Sequence, residues 1–260
     1  MIALIDADSL FYLSCYKLDD PAFVEKCGLS NEDADTIIES LAEVGADRLE
    51  NMLNDILLDI SNDENNIEIS AVEIYVTNCK NSIRKDISKE YKANRQPNPI
   101  VNCLRKAYIS KNNAIYSDTL EADDLIADRA KELGEFGCII VTMDKDLMQI
   151  GGFVYNFYRK PSVRDEEGNE IEVFKRKGLS YTTKFDAQKF LAKQLISGDA
   201  GDRVQGLPKY GAVKAAKIID PITNTFGLIK AVVSEYKKVY EEDYIEPLQT
   251  NFRLLYLGAY

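Results

Sequence analysis

The chain opens on an apolar run, "IALI", that stops at Asp6 and predicts a first strand. Residues 33 to 60 then repeat apolar side chains at helical spacing (Ile37, Ile38, Leu41, Leu49, Met52, Leu53, Ile56, Leu57, Ile60), which predicts one long amphipathic helix with a bend near Gly45. "AVEIYVT" is a second strand. Beyond it lies a basic stretch broken by "QPNP", whose two prolines forbid a continuous helix there. Leu125, Ile126, Ala130 and Leu133 mark a helix over 121–133, and "GCIIVT" a third strand that runs straight into "MDKD". "FVYNFY" predicts a further strand and "DEEGNEIEVF" a hairpin. From about residue 183 the pattern is helical, through "FDAQKFLAKQLI", "GAVKAAKII", "FGLIKAVVSEY" and a last helix. Strands alternating with helices predict an α/β domain over 1–182 with a mainly parallel twisted sheet flanked by helices, and a helical subdomain over 183–260.

Composition narrows the chemistry. The 260 residues include no histidine, which removes Ser-His-Asp hydrolases, imidazole bases and His-rich zinc sites. Five scattered cysteines without a C-x-x-C pair indicate reduced thiols rather than disulfides. No apolar run is long enough for a membrane span and the N-terminus has no basic lead, so the expectation is a cytoplasmic protein with no membrane partner. The net charge of −11 argues against nucleic acid, but its distribution does not. Residues 19–73 hold sixteen acids and two bases, whereas residues 80–113 hold nine bases against Asp86 and Glu90. Residues 203–219 carry four bases and no acid.

The acids cluster where strands end. "IDAD" provides Asp6 and Asp8, and "MDKD" provides Asp144 and Asp146; "EADD" sets Glu121, Asp123 and Asp124 at the start of the helix that precedes the third strand. Thr119 or Asp118 is the expected cap of that helix, and first-turn acids suit its dipole, but three exceed that need. In an open parallel sheet the carboxyl ends of the strands share a rim, and a right-handed crossover brings the helix start to the same rim. Close carboxylate pairs repel by about 4 kcal/mol at an intermediate dielectric. Oxygen ligands without histidine suit a hard divalent ion, Mg²⁺ or Mn²⁺, that would offset this repulsion. Asp199 and Asp202 form a fourth pair, followed by a turn bracketed by Gly206 and Gly211 and by Lys214 and Lys217 on one helical face. Alone, such a turn is usually a helix cap.

Taken in order, "IDAD", "EYKANR" at 90–95, "EADD", "MDKD" and "GDAGDRVQGLPKYGAVKA" resemble the motifs of the 5′-nuclease family: flap endonucleases, the 5′-nuclease domain of bacterial DNA polymerase I and the small bacteriophage 5′–3′ exonucleases. The resemblance covers nearly the whole chain. It implies a PIN-like fold with a C-terminal helix-hairpin-helix-like element, and Asp6, Glu121, Asp123, Asp124, Asp144, Asp146, Asp199 and Asp202 as carboxylates for two Mg²⁺ or Mn²⁺ ions. Asp8 has no fixed acidic counterpart in the family and reads as a supporting or capping acid. By the same resemblance Lys92 and Arg95 contact the scissile phosphate, Tyr91 stacks on a base, and Arg84 adds to the DNA-binding surface. A basic arch lies within 80–113, over about 91–113, and the 206–211 turn, with Lys214 and Lys217, grips the duplex backbone together with a monovalent ion. Asn78 stands where the family usually has an aspartate; its carbonyl can coordinate but carries no charge.

The expected reaction is two-metal hydrolysis of phosphodiesters in DNA with free 5′ ends, flaps or nicks, by a monomer acting in DNA replication, with RNA–DNA hybrids open to the same chemistry. Two rivals from other classes remain at this point. A haloacid-dehalogenase-type phosphatase would use Asp6 as nucleophile, and a non-catalytic DNA-junction binder would keep the fold without the cleavage.

Overall fold

The computed structural model describes residues 1–63, 67–79, 82–111, 114–159, 163–164, 170–171 and 176–258; for 158–159, 163–164, 170–171 and 176–177 only the strands are described. Strands β1 (Ile2–Asp6), β2 (Ala71–Tyr75), β3 (Cys138–Val141), β4 (Gly152–Arg159), β5 (Val163–Arg164), β6 (Glu170–Ile171) and β7 (Arg176–Thr182) are interleaved with helices α1 (Ala7–Ser14), α2 (Pro21–Lys26), α3 (Ala34–Ser61), α4 (Ile83–Ile87), α5 (Pro99–Ser110) and α6 (Ala122–Leu133). Next come α7 (Lys184–Ser197), the short pair β8 (Gly198–Asp199) and β9 (Val204–Gln205), α8 (Ala212–Ile219), α9 (Thr225–Tyr240) and α10 (Ile245–Leu255).

The sheet order is β2-β1-β3-β4-β7, parallel except for the last pair. Register aligns the strand ends: Asp6 faces Tyr75 across β1 and β2, and Ile5 faces Val141 across β1 and β3. Alternate residues serve opposite faces, as a strand of period two requires. Ala3, Ile5, Ile139 and Val141 pack against Leu10 and Phe11 of α1, Leu41, Leu49 and Ile56 of α3, and Ile100, Val101 and Leu104 of α5. Leu4, Tyr75, Cys138 and Ile140 pack on the other face against Ala122, Ile126, Ala127 and Ala130 of α6. β5 and β6 form the expected hairpin, whose connecting residues 165–169 lie outside the described residues, as do 172–174.

The basic segment departs from its expected form. Asn98 caps α5 through its side chain and Pro99 opens it, so the prolines end one element and start the next. Ile100, Val101 and Leu104 are buried in the main core, which makes 99–110 a structural helix rather than part of an arch. Lys80, Asn81, Asn112 and Asn113 of the same segment lie outside the described residues. α3 runs as one helix through Gly45, where a Cβ would stand 3.0 Å from Cys15 Sγ and 3.4 Å from Leu104. Glycine there admits the close packing of α1 and α5.

The C-terminal helices enclose a core of their own around Leu195, Ile196, Ile219, Leu228, Val232 and Tyr236. The boundary expected at 182/183 falls between β7 and α7, but contacts cross it in both directions. Tyr91 lies in the C-terminal core, and Leu257 returns to the sheet beside Leu4 and Ile140.

Candidate metal centre

Each acid owes its place to the local structure. Asp6 ends β1 and caps α1, accepting from the Asp8 N–H at 3.2 Å and from Ser9 Oγ at 3.3 Å. Thr142, just past β3, donates its hydroxyl to Asp6 at 2.7 Å and accepts the Asp144 N–H at 2.8 Å. One threonine thus couples the two strand-end acids. Asp144 in turn accepts the Asp146 N–H at 2.9 Å. Glu121, rather than Thr119 or Asp118, is the cap residue of α6, and its N–H is taken by Asp124 at 3.3 Å. Thr77, beyond the end of β2, accepts the Ala122 N–H at 3.0 Å and fixes this helix start to the rim.

Asp6, Asp8, Glu121, Asp123 and Asp144 line one cleft of about 370 Å³, shared with Lys85, Lys92, Arg95 and Arg105. The remaining acids adjoin it. Lys145 donates to Asp199 and lies 3.6 Å from Asp146. Arg95 reaches Asp202 at 2.7 Å, and Lys92 binds Glu121 at 2.7 Å and stands 3.6 Å from Asp202. The Lys92 N–H also donates to Asp202 O at 3.1 Å, so the "EYKANR" turn is stitched to the "GDAGD" loop through backbone as well as charge.

Electrostatics divide these acids into two sets. Burial, then Asp8 and Asp144, push Asp6 up to about 7. Desolvation in the cleft, then Asp6, raises Asp123 well above the carboxylate range. Burial and Asp144 bring Asp146 to about 6. Burial acts the same way on Glu121 and Asp199, but Lys92 outweighs it at the first and Lys145 at the second, so both are lowered. The inner acids Asp6 and Asp123 are thus governed by burial and like charge, whereas Lys92 satisfies Glu121 and Lys145 satisfies Asp199. Among the described residues no three acids or thiols already stand as a ligating cluster. The donor set nevertheless fits a hard divalent ion: carboxylates in a chain without histidine, with inner acids whose repulsion a cation would offset.

These shifts make the site sensitive to pH. Asp6 at about 7 and Asp146 at about 6 retain protons in mildly acidic solution that an incoming cation must displace. Mg²⁺ affinity is expected to rise between about pH 5.5 and 8 with proton release, as measured by titration calorimetry in buffers of different ionisation enthalpy. In the metal-free protein the same raised values make ionisation unfavourable, so these acids' contribution to stability falls as pH rises from the ordinary carboxylate value of 3.8 and is lost by about 7. An affinity flat across that range would contradict the assignment.

Several expected site residues lie elsewhere. Asp124 is buried and paired with Arg84 through two 2.6 Å contacts, so its oxygens face away from the cleft chemistry. Arg84, expected on the DNA surface, is 2% exposed and cannot meet a phosphate. Tyr91, expected to stack on a base, is 3% exposed; its ring packs in the C-terminal core and its hydroxyl donates to Glu121 at 3.0 Å and Asp202 at 3.2 Å. Thr77 and Cys79 line the cleft, but Asn78 does not. A Cβ on Gly206 would stand 2.2 Å from Ser197 C, so this glycine serves the approach of backbone to backbone rather than to a ligand. Gly211 caps α8 at an open surface, with Lys214 over the Tyr210 ring and Lys217 exposed nearby. The cleft also holds Thr77, Arg105 and the half-exposed Tyr12, with Thr142 supporting Asp6 and Asp144 and Lys145 bound to Asp199 beside it, none of them expected from the sequence. Lys145 alone carried a signal, being enclosed by Asp144 and Asp146.

Fold and cleft together define a PIN-like α/β protein that collects carboxylates at its strand ends. Residues 1–180 match the family described as 5′-3′ exonuclease, N-terminal resolvase-like domain, and the chain belongs to that family. It is 28% identical over 203 residues to DNA polymerase I of Rhizobium leguminosarum, covering 75% of this chain and 19% of the polymerase. It is 28% identical over 174 residues to flap endonuclease Xni of Shewanella woodyi, covering 62% of this chain and 65% of Xni. The chain thus spans about a fifth of that polymerase and under two thirds of Xni. Among solved structures, T5 5′-exonuclease with bound divalent zinc ions gives a TM-score of 0.54 at 17% identity, over 98% of this chain and 86% of that one. The bacteriophage T5 flap endonuclease in a pseudo-enzyme-product complex with DNA and metal ions gives 0.54 at 17%, over 98% and 87%. At that identity the likeness is one of fold.

Proposed function

We propose that the protein is a divalent-metal-dependent nuclease that hydrolyses phosphodiester bonds in DNA at free 5′ ends, flaps or nicks. The observation that carries this reading is the cleft in which Asp6, Glu121, Asp123 and Asp144 share space with Lys92 and Arg95. Membership of the exonuclease family supports it, and so do relatives named as a flap endonuclease and as a T5 enzyme bound to DNA and metal ions.

In this reading Asp6, Glu121, Asp123 and Asp144, with Asp146, Asp199 and Asp202 at the edge, hold two Mg²⁺ or Mn²⁺ ions. Such ions supply Lewis acidity that makes water a nucleophile at neutral pH and steadies the leaving oxygen. Lys92 and Arg95 leave Glu121 and Asp202 to neutralise the non-bridging oxygens of the scissile phosphate, where charge grows in the transition state. Tyr12, half-exposed at the cleft edge, offers a face for the neighbouring base in place of the buried Tyr91. Gly211, Lys214, Lys217 and the open start of α8, with a monovalent ion at the 206–211 turn, bind duplex phosphates outside the cleft. Contacts of this kind select the form of the nucleic acid rather than its sequence, so RNA–DNA hybrids belong among the substrates to be tested. Among the described residues no helix is long and apolar enough to cross a membrane. The reading takes the protein as a monomer acting on cytoplasmic DNA in replication.

Against the haloacid-dehalogenase reading, "GDAGD" directly follows helix α7, and that reading leaves Glu121, Asp123, Lys92 and Arg95 of the cleft without a role. The test is digestion of 5′-labelled flap, nicked and blunt DNA, with matched RNA-containing flaps, in Mg²⁺, Mn²⁺ and excess EDTA. Short 5′ products that require the metal are expected. Cleavage undiminished in EDTA, or DNA binding without cleavage in either metal, would overturn the reading.

A further inference from the structure

Asp8 lies two residues past the strand-end Asp6, in the first turn of α1, and the structure gives it a partner from outside every motif. Arg105, on α5, donates from Nη2 to Asp8 Oδ1 at 3.2 Å and from Nη1 to Asn102 Oδ1 at 3.2 Å. Its guanidinium carbon lies 5.9 Å from the centre of the Phe11 ring. Asp8 is itself anchored by the Thr77 N–H at 3.2 Å. Elements α1, α5 and the end of β2 thus cooperate to hold one guanidinium at the cleft wall, where only 18% of the side chain is exposed.

That arrangement is incomplete without a further acceptor. Among the described residues only two buried side-chain atoms lack a hydrogen-bond partner, Arg105 Nε and Gln149 Oε1. An arginine fork has five N–H donors in one plane, and Asp8 and Asn102 take one each. Ordering a long side chain while leaving donors unused is unfavourable unless a ligand arrives to accept them. Lys92 and Arg95 are tied to Glu121 and Asp202, so Arg105, tied to Asp8 in the first turn of α1, belongs to a different wall of the same cleft.

We infer that Arg105, aimed by Asp8, binds a second backbone phosphate of the DNA strand whose scissile phosphate lies at Lys92 and Arg95. The fork matches a phosphate's oxygens and is the least costly cation to hold partly desolvated. The strand is then gripped at two points, which fixes where along it the metal carboxylates act. This inference rests on the nuclease reading.

The test measures binding of a 5′-tailed duplex to the whole protein by fluorescence anisotropy in EDTA, between about 50 and 300 mM salt, together with steady-state cleavage in Mg²⁺. Arg105→Gln keeps a donor for Asp8 and removes the charge, whereas Arg105→Lys keeps the charge and removes the fork. For Arg105→Gln the slope of log K against log salt is expected to fall by about 0.7–0.9, the loss of one phosphate contact. KM is expected to rise about tenfold with kcat changed less than about twofold, the pattern of a lost binding contact. Arg105→Lys is expected to keep the wild-type slope. A glutamine variant with the wild-type slope and KM, or a lysine variant with the reduced slope, overturns the inference while the wild type still cleaves. A wild type that neither binds nor cleaves DNA overturns the nuclease reading instead.

Discussion

Replacing Asp123 by asparagine is expected to lower cleavage by on the order of 10³-fold, the scale on which removing one preorganised charged or polar group acts on a transition state, while raising the thermal midpoint of the metal-free protein. Asp123 lines the cleft among Asp6, Glu121 and Asp144, and desolvation with the Asp6 charge raises its carboxyl far above the usual range. A carboxylate whose folded value is raised weakens the fold once pH exceeds its unfolded value, because ionisation is easier in the unfolded chain. Asparagine has nearly the same shape and no charge to desolvate, so the stability loss at pH 7–8 disappears along with the ligand. Opposite signs in the two readouts separate a functional acid from a merely structural one. Differential scanning calorimetry in EDTA and cleavage of a labelled flap in Mg²⁺ measure them. A variant that lost both stability and activity would show that Asp123 supports the fold and that its position in the cleft is incidental.

The architecture is legible in the sequence because period and punctuation agree along most of the chain. Apolar strands alternating with amphipathic helices specify a layered α/β fold, and strand ends together with a right-handed crossover bring Asp6, Asp144 and the start of α6 to one rim. Spacing does not say which of two adjacent acids turns inward. Asp123 and Asp124 are neighbours on a helical turn, so they point about 100° apart, one into the cleft and the other onto Arg84. The choice is made by residues from α4 and the C-terminus, far away in the chain. Tyr91 escapes a local reading for the same reason, since its burial depends on helices that begin only at α7. The arch is a different case: Ile100, Val101 and Leu104 have helical spacing in the sequence, and the bases that follow them, Arg105 and Lys106, obscure it. Arg105 has no local signal, because its partner Asp8 lies 97 positions away.

Arg84→Ala is expected to destabilise the protein by about 3–5 kcal/mol, the cost of breaking a buried ion pair from one side. For a chain of this size that corresponds to a fall of roughly 10 °C in the thermal midpoint. Arg84 joins three parts of the molecule: both Nη atoms bind Asp124 at 2.6 Å, Nε donates to Leu254 O at 3.0 Å, and Nη2 to Tyr256 O at 3.0 Å. Asp124 accepts from the Gly258 N–H at 3.2 Å and the Glu121 N–H at 3.3 Å, so the pair clamps the C-terminal segment beneath the start of α6. Truncating Arg84 leaves a buried carboxylate without its cation and two carbonyls without that donor. Replacing both partners, as in Arg84→Met with Asp124→Leu, removes the stranded charge and is expected to recover most of the stability. It does not restore the clamp, and the Glu121 backbone loses its acceptor, so Mg²⁺ affinity is expected to stay reduced by about 10–100-fold, as when a ligand's supporting contact is lost. Recovery of metal affinity together with stability in the double variant would show that the pair holds the fold alone and has no part in presenting Glu121 to the cleft.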